Sequence, residues 1–206
     1  MTLSHILAGC KLSETENELS QEDHYTWRHN NVLSLLATAI KEQIGVVKKF
    51  PEKKADNPLI KFVRAGQAAK PSSSSKLKGL LSQARDWVAN FDLPELRLPH
   101  SKYLFPSDIC ATPLKMDGHV ISRKARICIG IELTVPMEQN IGTWHQSKLK
   151  KYDNEFGIEV QKNNWKFHSI VVEVGARGWM PSSVISSLNL LGLPAVSSLC
   201  KRLSLM

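Results

Sequence analysis

The 206-residue sequence has only four cysteines, and they are far apart in the chain. Cys10, Cys110, Cys128 and Cys200 form no close pair, and the N-terminus has no charged, apolar and small-residue leader. We therefore expect a reduced, intracellular protein. No apolar run approaches the roughly 18 to 20 residues that a membrane-spanning helix needs, so the sequence predicts no membrane partner.

The N-terminus also lacks half of a metal site. His5 and Cys10 have the separation found in the second half of a Cys-Cys-His-Cys zinc knuckle, but the two earlier cysteines are absent. A structural zinc site needs four ligands in a tetrahedral arrangement. We therefore expect no zinc site to close on this pair within the chain.

The overall composition is that of an ordinary globular protein, with 42% hydrophobic and 22% charged residues. The net charge of +8 is unevenly distributed. Residues 41–88 carry eleven Lys and Arg against four acids, a balance of +7, whereas residues 1–40 sum to −3 and residues 89–206 to +4. This basic segment permits a polyanionic partner, although a mildly basic total is also typical of a solvated surface.

The clearest pattern is a strict alternation over residues 126–135. One face carries Ile127, Ile129, Ile131, Leu133 and Val135, and the other carries Cys128, Gly130, Glu132 and Thr134. The pattern predicts a β-strand that presents Glu132 among small residues, on the face opposite the aliphatic one. Pro136 has no amide hydrogen for a strand ladder, so it should end the strand.

The remaining patterns predict an α+β protein with a small mixed sheet flanked by helices and preceded by a helical N-terminal segment. We expect a domain boundary near residue 50, a basic linker and helix over 51–98, and the main domain over 99–206. Helices are predicted over 25–49, 76–90, 138–163, 184–191 and 195–203. Strands are predicted over 108–112, 119–123 and 166–174, the last in the centre of the sheet, with a hairpin turn at Asp117-Gly118.

Three charged residues then come from three different elements. Asp108 belongs to a predicted strand, Glu132 to the next strand and Lys148 to the helix that follows. Two carboxylates on neighbouring strands can hold a hard divalent cation, which activates water and polarises a phosphate. A lysine can position that water or offset charge on the phosphate. Spacing alone is weak support for a nuclease, because strand-end acids and lysine-rich helices are more often solvated.

A family resemblance adds weight to this chemistry. The run 131–152, with Glu132-Leu133-Thr134-Val135-Pro136 followed by Lys148 and Tyr152, resembles the restriction-like endonuclease domain of site-specific non-LTR retrotransposons, a branch of the PD-(D/E)XK nucleases. HILAGC near the N-terminus resembles the end of the zinc knuckle of those polyproteins, and YTWRHN, residues 25–30, resembles the segment after it. Residues 79–87 resemble the helix before the catalytic strands, and VEVGARG, residues 172–178, resembles the strand and turn after the catalytic helix.

The resemblance implies a restriction-endonuclease-like fold and roles for four residues. Asp108 and Glu132 would bind Mg²⁺ or Mn²⁺, and Lys148 would be the catalytic lysine, displaced onto the helix because Thr134 occupies its usual place. Tyr152 would contact the phosphate. DNA would be the substrate, RNA of the parent element a further partner, and the nucleus the location.

Two other acids are expected to be structural. Glu138 could be a further acidic ligand, but it lies in the first turn of a helix, where the helix dipole already favours an acid. Glu173 is expected to be a paired carboxylate within its strand.

The sequence departs from the family pattern in two places, at Ser107 and in the 23 residues between Asp108 and Glu132, which are more than usual. Ser107 separates Pro106 from Asp108, and a one-residue slip in a strand turns a side chain to the opposite face. A catalytically decayed remnant that binds DNA or protein is therefore the alternative function. The reverse transcriptase that precedes this domain in such elements is also missing, which suggests a fragment of an element or a gene derived from one.

Overall fold

The computed structural model describes residues 21–49, 78–93 and 103–206. Its helices are α1 (Gln21–Lys49), α2 (Ile141–Leu149), α3 (Gly157–Lys162), α4 (Ser182–Leu191) and α5 (Val196–Ser204), and its strands are β1 (Val88–Phe91), β2 (Gly118–Ser122), β3 (Ile127–Thr134) and β4 (Lys166–Glu173). None of the described helices has the length and apolar character needed to cross a membrane. His5, Cys10, the predicted boundaries at 50 and 98, and most of the basic segment lie outside the described residues.

The four strands form one mixed sheet in the order β1-β2-β3-β4. β1 and β2 are antiparallel, as are β2 and β3, whereas β3 and β4 are parallel. Parallel neighbours need a long crossover, and here residues 135–165 provide it, mostly as helix. The prediction of an α+β fold with a small mixed sheet flanked by helices is therefore confirmed, although β4, predicted as central, lies at the edge of this sheet.

β3 is buried on both faces, and all eight of its residues are shielded from solvent. Its aliphatic face packs into the larger hydrophobic core, which also contains the buried side of α1, including Val32, Leu36 and Ile40. Cys128, on the opposite face, belongs to a second core with Tyr152 and Phe156. The alternation therefore separates two buried environments, and the face that carries Glu132 is covered by the helices of the crossover.

The predicted helix over 76–90 is wrong. Leu80–Gln83 forms one 3-10 turn, and Val88–Phe91 is strand β1, paired with β2 through Val88 and Ile121. The chain turns at Gly79, which has a φ of 89°, and the indole N–H of Trp87 donates a hydrogen bond to the carbonyl oxygen of Leu81 over 2.8 Å. Strand pairing and burial of Trp87 therefore override the helical spacing of the apolar residues.

Two local predictions in the sheet are also wrong. Residues 108–112 form no strand; the amide groups of Ile109 and Cys110 donate to the carbonyl oxygen of Pro106, which makes a turn. The hairpin turn between β2 and β3 lies at residues 123–126, where Arg126 has a φ of 52°. Asp117-Gly118 instead stands at the start of β2, where the Asp117 carbonyl oxygen accepts a hydrogen bond from the Asp92 amide.

The helix predicted over 138–163 is confirmed in position but is not uniform. A 3-10 turn (Glu138–Asn140) leads into α2, and a π-helical segment (Lys150–Phe156) connects α2 to α3. Gly157 is the first residue of α3. π-helical segments are frequent at functional sites, and this one directs Tyr152 and Phe156 into the second core.

Candidate functional site

A pocket of about 560 Å³ opens where the start of β2, the end of β3 and α2 meet. α1 forms its far wall. The pocket is lined by Thr26, His29, Asp117, Glu132, Leu133, Thr134, Pro136, Trp144 and Lys148. Two of the residues that the sequence predicted as catalytic, Glu132 and Lys148, are therefore brought together here.

Glu132 lies at the base of the pocket and is only 6% exposed. Its Oε1 accepts a hydrogen bond from the Lys148 ammonium group. Its Oε2 is buried and has no hydrogen-bond partner among the described residues. Burial, and then the negative charge of Asp117, raise the pKa of Glu132 above its ordinary value, and Lys148 opposes this rise. Glu132 is thus a recessed carboxylate that is paired with Lys148 and also lies beside the Tyr152 hydroxyl.

Asp117 is the second acid of the pocket, and the sequence interpretation missed it. Gly118 pairs with Ile131 in the antiparallel register, so Asp117 comes opposite Glu132. Asp117 Oδ2 accepts a hydrogen bond of 2.7 Å from the Leu133 amide, which holds the carboxylate at this edge. A signal was present, because Asp117 lies two residues before the strand predicted over 119–123, but Asp-Gly also favours a hairpin turn.

His29 joins α1 to this pair of acids. Its Nε2 lies 3.4 Å from Asp117 Oδ1. Burial lowers the pKa of His29, but the hydrogen bond and the negative charge of Asp117 outweigh that effect and raise it above its ordinary value. The pocket therefore contains the Lys148 ammonium group and the His29 imidazole beside two carboxylates.

Tyr152 supports the pocket from behind. Its hydroxyl donates a hydrogen bond of 2.7 Å to the carbonyl oxygen of Lys115, two residues before Asp117. Burial, and then the charge of Glu132, raise the pKa of Tyr152, so the hydroxyl stays protonated. Tyr152 is buried and does not line the pocket. The structure thus gives it a contact that positions the Asp117 segment, rather than an open hydroxyl for a phosphate.

Asp108 does not line the pocket with Glu132 and Lys148. It lies in the turn that replaces the predicted strand, its side chain is 54% exposed, and both of its carboxylate oxygens accept hydrogen bonds from Arg123. This ion pair lowers the pKa of Asp108. Without a strand at 108–112, no sheet register carries Asp108 to the end of β3.

The two acids expected to be structural both have partners. Glu138 accepts hydrogen bonds from the amide of Arg177, at 2.7 Å, and from its guanidinium group, at 2.9 Å, which fastens the start of the helical crossover to the loop after β4. Glu173 is fully buried and hydrogen-bonded to His145 of α2. α2 is therefore attached to the sheet by an ion pair to β3, through Lys148 and Glu132, and by a hydrogen bond to β4, through His145 and Glu173.

Asp117 and Glu132 are the two pocket carboxylates that could hold a hard divalent cation. Within residues 21–49, 78–93 and 103–206, no group of three or more His, Cys, Asp and Glu side chains is placed to hold a metal ion. Mg²⁺, however, is usually bound through only one or two carboxylates and keeps several waters. Asp117 and Glu132 supply that number, and the buried, unpaired Oε2 of Glu132 is an oxygen that such an ion would satisfy.

The comparisons with known proteins identify no relative: no protein-family model, no curated protein and no solved structure matches this chain.

Proposed function

We propose that this chain is a Mg²⁺-dependent DNA endonuclease domain of the restriction-like type. The observation that carries the proposal is the joint placement of Asp117, Glu132 and Lys148 in one pocket, at the meeting point of two strands and a helix. The order of strand, strand and helix is the one that the resemblance to non-LTR retrotransposon endonucleases leads us to expect. In this proposal Asp117 takes the role that the sequence analysis gave to Asp108.

The two pocket carboxylates and Lys148 would have separate roles in phosphodiester hydrolysis. Asp117 and Glu132 would hold the metal ion; when bound, such an ion polarises the phosphate and makes a bound water more acidic. Lys148 would bind a phosphate oxygen, since its ammonium group already lies in the pocket as a compact positive charge. Tyr152 would keep the Asp117 segment in position through Lys115. The basic segment over 41–88 would bind the DNA backbone without reading its sequence.

The test is relaxation of a supercoiled plasmid by the purified full chain with Mg²⁺ or Mn²⁺. We expect nicking by the wild type and its loss in Glu132→Gln, Asp117→Asn and Lys148→Met. Asp108→Asn is the matched control, because it makes the same substitution at an aspartate that lies outside the pocket. Loss of nicking in Asp108→Asn with full activity in Asp117→Asn would show that the acids are assigned wrongly, and equal nicking by all variants would refute the proposal.

The alternative function is a DNA-binding remnant without catalysis. The absence of a larger metal-ligand group in the described part of the chain favours it. A folded wild-type protein that binds DNA in a salt-dependent way, but nicks it with neither metal, would establish this alternative. Binding to RNA of a parent element and nuclear location stay predictions that rest on the resemblance.

A further inference from the structure

One side chain in the wall of the pocket has no role in the chemistry proposed above. Trp144 lies on α2 and lines the pocket together with Asp117, Glu132 and Lys148. It keeps 47% of its surface exposed, although tryptophan is on average a highly buried residue. A large aromatic surface is therefore open to solvent beside the charged groups.

The geometry of α2 explains why Trp144 faces the pocket. Consecutive residues on an α-helix are about 100° apart, and the next residue, His145, is directed at β4, where it contacts Glu173. Trp144 and Lys148 are four residues apart, which places them on the same side of the helix. Because Lys148 reaches Glu132 at the base of the pocket, Trp144 stands one turn away on the same wall.

The depth of the site restricts what can reach it. Glu132 is almost completely buried at the base, so a phosphate can approach it only if the chain that carries the phosphate enters the pocket. The pocket volume of about 560 Å³ is in the range of small-molecule sites. A single nucleotide is of this size. Regular double-stranded DNA is stiff, and deforming it so that one phosphate enters the pocket costs free energy.

An exposed aromatic side chain next to a positively charged group is typical of sites that bind unpaired nucleic acid. Bases stack on aromatic side chains with little regard to sequence, and nearby cations follow the phosphate backbone. Lys148 supplies a positive charge in the same pocket as Trp144.

We infer that Trp144 stacks on an unpaired base next to the phosphate that enters the pocket, so that the substrate is single-stranded or locally melted DNA rather than regular duplex. The inference deepens the proposed function and rests on it, because it places the scissile phosphate at Glu132 and Lys148. It assigns no chemical step to Trp144, which would contribute binding and orientation.

The test measures binding without cleavage. A fluorescently labelled single-stranded oligonucleotide and its duplex are titrated with the full chain in EDTA, and anisotropy gives each Kd. We expect tighter binding to the single strand, and a weakening of about 5- to 150-fold in Trp144→Ala, the range typical of one lost base–aromatic stack. Trp144→Phe should retain most of the affinity, because a smaller ring still stacks.

Trp179→Ala is the matched control. Trp179 is another exposed tryptophan, at 55%, but it lies in a separate depression with Glu138, Gln139 and Arg177. Its removal should leave single-strand affinity unchanged. Equal affinity of wild type and Trp144→Ala for the single strand, or an equal loss for single strand and duplex, would overturn the inference.

The plasmid assay separates this inference from the proposed function. Single-strand binding that depends on Trp144, without nicking by the wild type, would refute the nuclease and retain the binding surface. Nicking that depends on Glu132, with full activity and full single-strand affinity in Trp144→Ala, would retain the nuclease and refute the stacking role.

Discussion

Replacing Lys148 by methionine tests whether Glu132 depends on its cation. Glu132 is buried, and its Oε1 is bonded to Lys148. Removing one partner of a buried ion pair leaves an uncompensated charge and costs about 3 to 5 kcal/mol. Lys148 keeps 19% of its side chain exposed, so we expect Lys148→Met to lower the free energy of unfolding at about pH 8 by the smaller of these values, about 3 kcal/mol.

The loss should depend on pH, because Glu132 can become neutral by taking up a proton. Its pKa is raised in the folded protein, by burial and then by Asp117. An acid with a raised pKa contributes stability that is full below its ordinary pKa and is lost as the pH rises through the folded value. Methionine removes the charge that limits this rise. The deficit of Lys148→Met should therefore be smallest at about pH 5 and grow towards about pH 8.

Urea denaturation followed by tryptophan fluorescence measures this loss at the two pH values. Lys162→Met is the control, because it breaks an exposed ion pair with Glu159 and should change stability by about 1 kcal/mol or less. The double variant Glu132→Gln/Lys148→Met should recover most of the loss, since no buried charge is left unpaired. Equal losses in Lys148→Met and Lys162→Met at the higher pH would refute the reasoning.

Two further predictions concern single positions. Gly192 ends α4 with a φ of 87°, and an added Cβ would lie 2.0 Å from the carbonyl oxygen of Lys78. Gly192→Ala should therefore lower the free energy of unfolding by about 1 to 3 kcal/mol. Gly45 lies inside α1 with open space where a Cβ would be added, so Gly45→Ala should raise the free energy of unfolding by about 0.5 to 1 kcal/mol. Urea denaturation measures both variants, and similar changes in Gly192→Ala and Gly45→Ala would contradict the prediction. In NMR titrations the pKa of His29 should be raised, because the hydrogen bond and charge of Asp117 outweigh the effect of burial. Asp117→Asn should lower the pKa of His29, and an unchanged pKa in this variant would show that the contact between His29 and Asp117 is absent in solution.

The sequence predicted two of the three pocket residues that carry the proposed chemistry, because their placement follows from local periodicity. Alternation with a period of two assigns Glu132 to one face of β3, and that assignment holds whatever packs against the strand. Lys148 lies on the helix predicted after Pro136, and such a crossover helix must cover one face of the sheet. Asp117 was missed because its position depends on the register of β2 against β3, a pairing between residues that are distant in the chain.

Local patterns also determined α1, β3, β4 and α4, whose apolar spacing agrees with the structure that packing favours. Tertiary structure decided the remainder. Residues 76–90 have helical spacing, yet pairing with β2 and burial of Trp87 make the last part strand β1. The short strand expected at Asp108 is a turn closed by Pro106. In both segments, contacts between residues distant in the sequence contribute more free energy than the local conformational preference, which is a few tenths of a kcal/mol per residue. Such contacts also determine that Asp117, and not Asp108, lies in the pocket.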